Sequence, residues 1–269
     1  SNHDPARPDL RLHSRGYTLT MTRTRDPSLA YQRMIVLLLM VMCALNYADR
    51  AVISASMPLI SKEYHLSAGA VGVLLSASSW AYILLNFPSA LMLDHFGTRV
   101  TGTLSVFLWS LAMILGAVAP NYSILFFSRI MLGAGEAPTF PLGSKIINGD
   151  ISRHWRPLAF TLFMSSMQFG LFAGTAITGI LAASHGWRFT LVAFGGAGIV
   201  WSALWCIATA RQTTGESRPS MVRPERIDIR RLVRAPTFVG FVVCACASNY
   251  TNFLLASWLP LYMHDALGL

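Results

Sequence analysis

The chain has 269 residues, 54% hydrophobic and only 12% charged, with a mean hydropathy of +0.49. A soluble domain runs near 25% charged, so this composition excludes an ordinary water-soluble enzyme and a disordered chain and makes the bilayer the main solvent. The net charge of +9 would suit a nucleic-acid partner, but the basic residues cluster at alternate gaps between apolar runs, which is what membrane orientation requires.

Residues 1–32 are polar and basic. They read as a disordered cytoplasmic tail, or in part as sequence upstream of a start at Met21. The basic stretch before Met34–Ala44 has the order of a signal peptide, but no small-x-small cleavage pattern closes it and more apolar runs follow at once. Seven apolar segments come next: Met34–Ile60, Ala68–Leu93, Thr101–Ala119, Ile124–Ile147, Leu158–Ala183, Phe189–Thr209 and Thr237–Met263. Each can cross a ~30 Å hydrocarbon core as a helix, the state in which every backbone polar group is satisfied internally. The expected organisation is a tail (1–32), six tightly connected helices (33–209), a cytoplasmic linker (210–236) and a seventh helix (237–269).

With the amino terminus inside, 17 of the 21 Lys and Arg fall in cytoplasmic regions, Lys62 and Arg188 fall outside, and Arg50 and Arg129 lie within spans. The Lys/Arg excess marks the cytoplasmic side, so the seventh span should end outside. Cys43, Cys206, Cys244 and Cys246 all lie in apolar runs, and Cys244 and Cys246 would sit ~200° apart on a helix. No disulfide framework or metal clip follows. A weak echo divides the six spans into three plus three: Asp94-His-Phe-Gly-Thr-Arg99 follows span two, and Ser184-His-Gly-Trp-Arg188 follows span five.

Of twelve acids, only Asp49 and Glu136 lie well inside spans, and they share those spans with Arg50 and Arg129. Each intramembrane charge costs ~2.5–3.5 kcal/mol on insertion scales, so the four should face one another or a polar cavity. Salt bridges that only lock helices together are the alternative, weakened because desolvation offsets much of the Coulomb gain. Asn46 and Arg50, four apart, should share a face with Tyr47 beside them, while Asp49 turns to a neighbouring helix. Arg129, Gly133 and Glu136 form one stripe. Gly133 and Gly135 admit a close backbone, as does Gly170-x-x-x-Gly174, and Pro138 and Pro141 should loosen span four. Span two adds Ser76, Ser78, Ser79, Tyr82 and Asn86. Gln168 of span five fits either a bundle hydrogen bond or a ligand contact, and span three reads as peripheral.

Asn46-Tyr-Ala-Asp-Arg50, Asp94-His-Phe-Gly97-Thr-Arg99 and Arg129-Ile-Met-Leu-Gly-Ala-Gly-Glu136-Ala-Pro-Thr-Phe-Pro141 resemble the major facilitator superfamily, and within it the anion:cation symporter branch. Gly186-Trp-Arg188 and Trp258-Leu-Pro-Leu-Tyr262 also fit, and the resemblance covers about residues 33–265. It implies an all-α integral membrane fold: a six-helix bundle of two inverted three-helix repeats, then a seventh helix, incomplete against the family's twelve spans. It further implies proton-coupling roles for Asp49 and Glu136 and substrate-carboxylate contacts for Arg50 and Arg129. Tyr47, Tyr82, Gln168 and Asn249 would be polar cavity residues, and Asp94, Gly97 and Arg99 a gating loop. Ala90 stands where the family favours Gly, His95 where Lys or Arg is common, and Gly149–Arg156 lacks the usual Trp-Phe-Pro run.

The expected function is therefore that of a secondary transporter fragment: proton-coupled symport of an organic anion by alternating access, in the cell inner membrane, with no cofactor or metal and no enzymatic chemistry. Its partners would be a carboxylate anion, protons, the bilayer and a second half or full-length partner. A truncated, non-transporting protein that binds or regulates a full-length partner is the alternative.

Overall fold

In a computed structural model, the described residues are 28–210 and 234–267. They form six helical elements: α1 (Leu29–Tyr64), α2 (Ala68–Ala117), α3 (Tyr122–Glu136), α4 (Thr139–Asp150), α5 (Arg156–Ala208) and α6 (Pro236–Leu267). Most of the expected tail, and the linker from residue 211 to 233, lie outside the described residues. The last part of that tail is helical instead, because Ser28 caps α1: its Oγ accepts from the Tyr31 N–H at 3.3 Å. Ser67 does the same for α2, and the Asn121 side chain for α3.

α1, α2 and α5 are each long and apolar enough to cross a membrane. At 1.5 Å per residue, the 50 residues of α2 and 53 of α5 would run ~75–80 Å, more than twice a hydrocarbon core. Each is broken at one glycine, Gly97 (φ 76°, ψ 174°) and Gly186 (φ 82°, ψ 164°). Spans two and three are thus the halves of α2, and spans five and six the halves of α5. The segments Asp94–Arg99 and Ser184–Arg188, expected as loops, are not loops; a single residue turns the chain in each.

The turn at Gly97 folds α2 back on itself. Tyr122, just past its end, donates its hydroxyl to Ala70 O near its start at 3.1 Å, and Tyr64 donates to Ala119 O at 2.8 Å. At the other end of the bundle, Lys145 Nζ bonds Asp94 Oδ1 at 2.7 Å, and Gln32 Oε1 accepts from the Ser152 N–H at 3.0 Å. The basic groups Arg33, Arg99, Lys145, Arg153 and Arg156 therefore belong to one end, and Lys62 and Arg188 to the opposite one.

Span four divides into α3 and α4. Pro138 and Pro141 lack the N–H groups that would continue the helical ladder, and Ala137 O, the carbonyl facing Pro141, accepts instead from Asn86 Nδ2 of α2 at 3.4 Å. Close packing rests on the expected glycines. A Cβ at Gly133 would strike Ser78 O, and one at Gly135 would lie 2.8 Å from Trp109 N, so α3 wedges between the halves of α2. Gly170 and Gly174 abut Ala44 and Ala48, joining α5 to α1.

Span three is not peripheral on its inner side. Thr101, Ser105, Trp109, Ser110 and Met113 are buried, while Leu104, Phe107 and Leu111 are exposed. α6 packs against α1, and its Trp258 lies beside Gly72.

Candidate functional site

α1 and α3 meet through charge midway along the bundle. Arg50 places Nη2 at 2.9 Å and Nε at 3.2 Å from one oxygen, Oε2, of the fully buried Glu136. Its guanidinium also stacks near the rings of Tyr47 (5.1 Å) and Tyr82 (5.3 Å). A guanidinium over an aromatic face is attracted by the ring quadrupole, so three helices hold this cation in place. Phe140 of α4 braces Tyr47 edge-on at 6.5 Å. The Arg50 side chain keeps 18% of its surface accessible.

Behind Glu136 lies a closed polar layer. Arg129 is 1% exposed, donates Nε to Ser128 Oγ at 3.3 Å and points Nη1 at Met113 Sδ, 3.7 Å away. Asp49 is 2% exposed. Arg129 Nη2, Asp49 Oδ1 and Glu136 Oε1 have no hydrogen-bond partner, although all three side chains lie within one another's electrostatic reach. Asn46 is wholly buried with both amide atoms unpartnered, so it turns inward and does not share the accessible face of Arg50. Its place in the Asn46–Arg50 motif was the available signal.

Arg50, Tyr47, Tyr82 and Glu136 thus come together, with Asp49 and Arg129 behind them. Arg129 is enclosed where Arg50 is reachable. Gln168 is exposed and its side chain bonds no described residue. Asn249 is exposed on α6 and turns its amide back to Ala245 O at 2.8 Å. Asp94 pairs with Lys145, and Arg99 points Nη2 at Cys206 Sγ, 3.7 Å away, linking spans three and six.

At the opposite end, Arg188 donates to Glu63, Ala117 O, Ala119 O and the Tyr64 hydroxyl. Trp187 Nε1 also donates to Glu63 at 2.7 Å. The Arg188 bond, followed by the Trp187 bond, holds the Glu63 carboxyl below its ordinary range. Three helix ends are tied there. Among the described residues no cluster of His, Cys, Asp and Glu could hold a metal ion.

Three comparisons bear on this arrangement. The galactarate/D-glucarate transporter GarP of Escherichia coli, named as probable, is 35% identical over 178 residues, covering 64% of this chain and 40% of that protein. The hexuronate transporter of Bacillus subtilis is 26% identical over 241 residues, 87% of this chain and 57% of that protein. The crystal structure of a bacterial homologue of the human lysosomal transporter Spinster, inward-facing and unoccupied, superposes with a TM-score of 0.79 at 21% identity. It covers 90% of this chain and 57% of that one, and the likeness is one of fold. The chain spans about half the length of the curated relatives it matches. Residues 39–269 match the family described as the Major Facilitator Superfamily, so this multi-pass, all-helical membrane chain belongs to the Major Facilitator Superfamily, a family of transporters and not of enzymes.

Proposed function

We propose that the chain is the amino-terminal part of a proton-coupled symporter for a sugar acid or similar organic anion, in the cell inner membrane with its amino terminus in the cytoplasm. The observation that carries this reading is the Arg50–Glu136 ion pair: a reachable guanidinium held between two tyrosine rings, bonded to a carboxylate that is itself wholly buried. A substrate carboxylate approaching Arg50 competes with Glu136 for the same donors. Guanidinium forks match carboxylates, and their charge stays fixed as protons move. Once displaced, Glu136 is an unpaired acid in a dry site, where the neutral form is favoured, so anion arrival drives proton uptake. Asp49 and Arg129 form the layer behind, able to pass or balance that charge. Relatives named for galactarate, D-glucarate and hexuronate support a polyhydroxy carboxylate as the substrate class. Alternating access would need a second helical bundle facing this one, supplied by further chain or by a partner.

Glu136→Gln tests the coupling in the complete protein, reconstituted in vesicles. The neutral amide mimics the protonated acid, so substrate exchange should persist while accumulation driven by a proton gradient falls at least tenfold. Normal gradient-driven accumulation by this variant would remove Glu136 from the coupling path.

A further inference from the structure

Near the starts of α1 and α5 lies a groove of about 460 Å³, lined also by Ile151. Its inner part is wholly apolar, built by Leu37 and Met40 of α1 and Leu158 and Leu162 of α5. Its outer part carries Arg33 and Trp155, the latter 47% exposed. The depths are those of a lipid. Arg33 and Trp155 stand just before the apolar spans, while Leu37 and Met40 lie ~6–10 Å deeper at 1.5 Å per residue.

Arg33 is exposed and pairs with no described acid; nor does Arg153, two residues before Trp155. The acid nearest in sequence to this end, Asp150, acts on Tyr31, which is ~200° around α1 from Arg33. The amide oxygen of Gln32 is committed to Ser152. Apart from Gln32 and Arg33 the lining is apolar, so a sugar acid would find few hydrogen-bonding groups along the groove. An acyl chain needs none, and a cation with an indole at headgroup depth suits a phosphate.

We propose that this groove binds an anionic phospholipid, its phosphate at Arg33 beside the Trp155 indole and one acyl chain along Leu37, Met40, Leu158 and Leu162. The site is separate from the Arg50–Glu136 pair and does not rest on the transport reading.

The test reconstitutes the whole chain in phosphatidylcholine vesicles carrying a brominated lipid, since bromine quenches a tryptophan it touches. Subtracting the signal of Trp155→Phe isolates Trp155. Brominated phosphatidylglycerol should quench Trp155 at about one-fifth the mole fraction needed for brominated phosphatidylcholine, the factor one basic residue near anionic headgroups supplies. Arg33→Lys should keep most of that preference, and Arg33→Gln should abolish it. Equal quenching by the two lipids, or a preference that survives Arg33→Gln, overturns the proposal. So does a Trp155 signal that neither lipid touches, which would mean that protein covers the groove. No substrate or gradient enters the measurement, so failure of proton coupling at Glu136 leaves its outcome unchanged.

Discussion

Arg50 brings five N–H donors to a depth where water is scarce, and Glu136 takes up only two of them, both through one oxygen. In the proposed reading, a ligand carboxylate competes for this same two-donor contact. Lysine at this position would keep the charge and lose the planar fork and its stacking on Tyr47 and Tyr82. Arg50→Lys should therefore weaken anion binding by tenfold or more in a direct binding assay, and unchanged affinity would take Arg50 out of the site. Arg129 belongs to a different regime. Enclosed against Ser128 and Met113, it lies within electrostatic reach of Asp49 and Glu136. The resemblance gave both arginines the same substrate-contact role, and as residues both are single cations in apolar runs. Burial separates them.

At the scale of the element, Gly97 and Gly186 do the same work in the two three-helix repeats. Both have positive φ with ψ near 180°, a region that essentially only glycine occupies, and each is followed two residues later by an arginine that ties neighbouring helices. Arg99 reaches span six from span three, and Arg188 reaches the ends of α1 and α2. No atom lies within 4 Å of a Cβ built at either glycine, so alanine there meets backbone strain and no clash. Gly97→Ala and Gly186→Ala should each destabilise the chain by ~1–3 kcal/mol in thermal denaturation in detergent. Gly179, equally open but in ordinary helix, is the control: Gly179→Ala should be neutral or slightly stabilising. Equal effects at all three positions would mean that the turns are not set by the glycines. The sequence echo marked these positions. The one-residue turn did not show in it, because apolar periodicity is blind to a single dihedral.

For the whole molecule, the side-chain bonds at the two ends sort the charges independently of any count along the chain. Asp94–Lys145 and Gln32–Ser152 gather the basic end, and Glu63–Arg188 and Tyr64–Ala119 gather the other. If the basic end is cytoplasmic, a cysteine at the exposed Gly149 should react with an impermeant reagent only from the cytoplasmic side. One at the exposed Ser184 should react only from outside. The reverse pattern would invert the orientation proposed above.

What the sequence determined by itself was the number and order of apolar crossings, the grouping of basic residues at alternate turns, and the short set of intramembrane charges. These follow from the price of moving polar groups into hydrocarbon, which depends on composition and run length and needs no knowledge of neighbours. The motifs around Arg50 and Glu136 carried the family resemblance as well. Which charges would touch was left to the tertiary structure, because Arg50 and Glu136 are 86 residues apart and their contact depends on how α3 wedges against α2 and α1. The same packing decides that Asn46 turns inward, that span three buries one face against Arg129, and that Asn86 satisfies a carbonyl freed by Pro141. Each is a matter of which backbone approaches which, and that is settled by glycine contacts between helices distant in sequence.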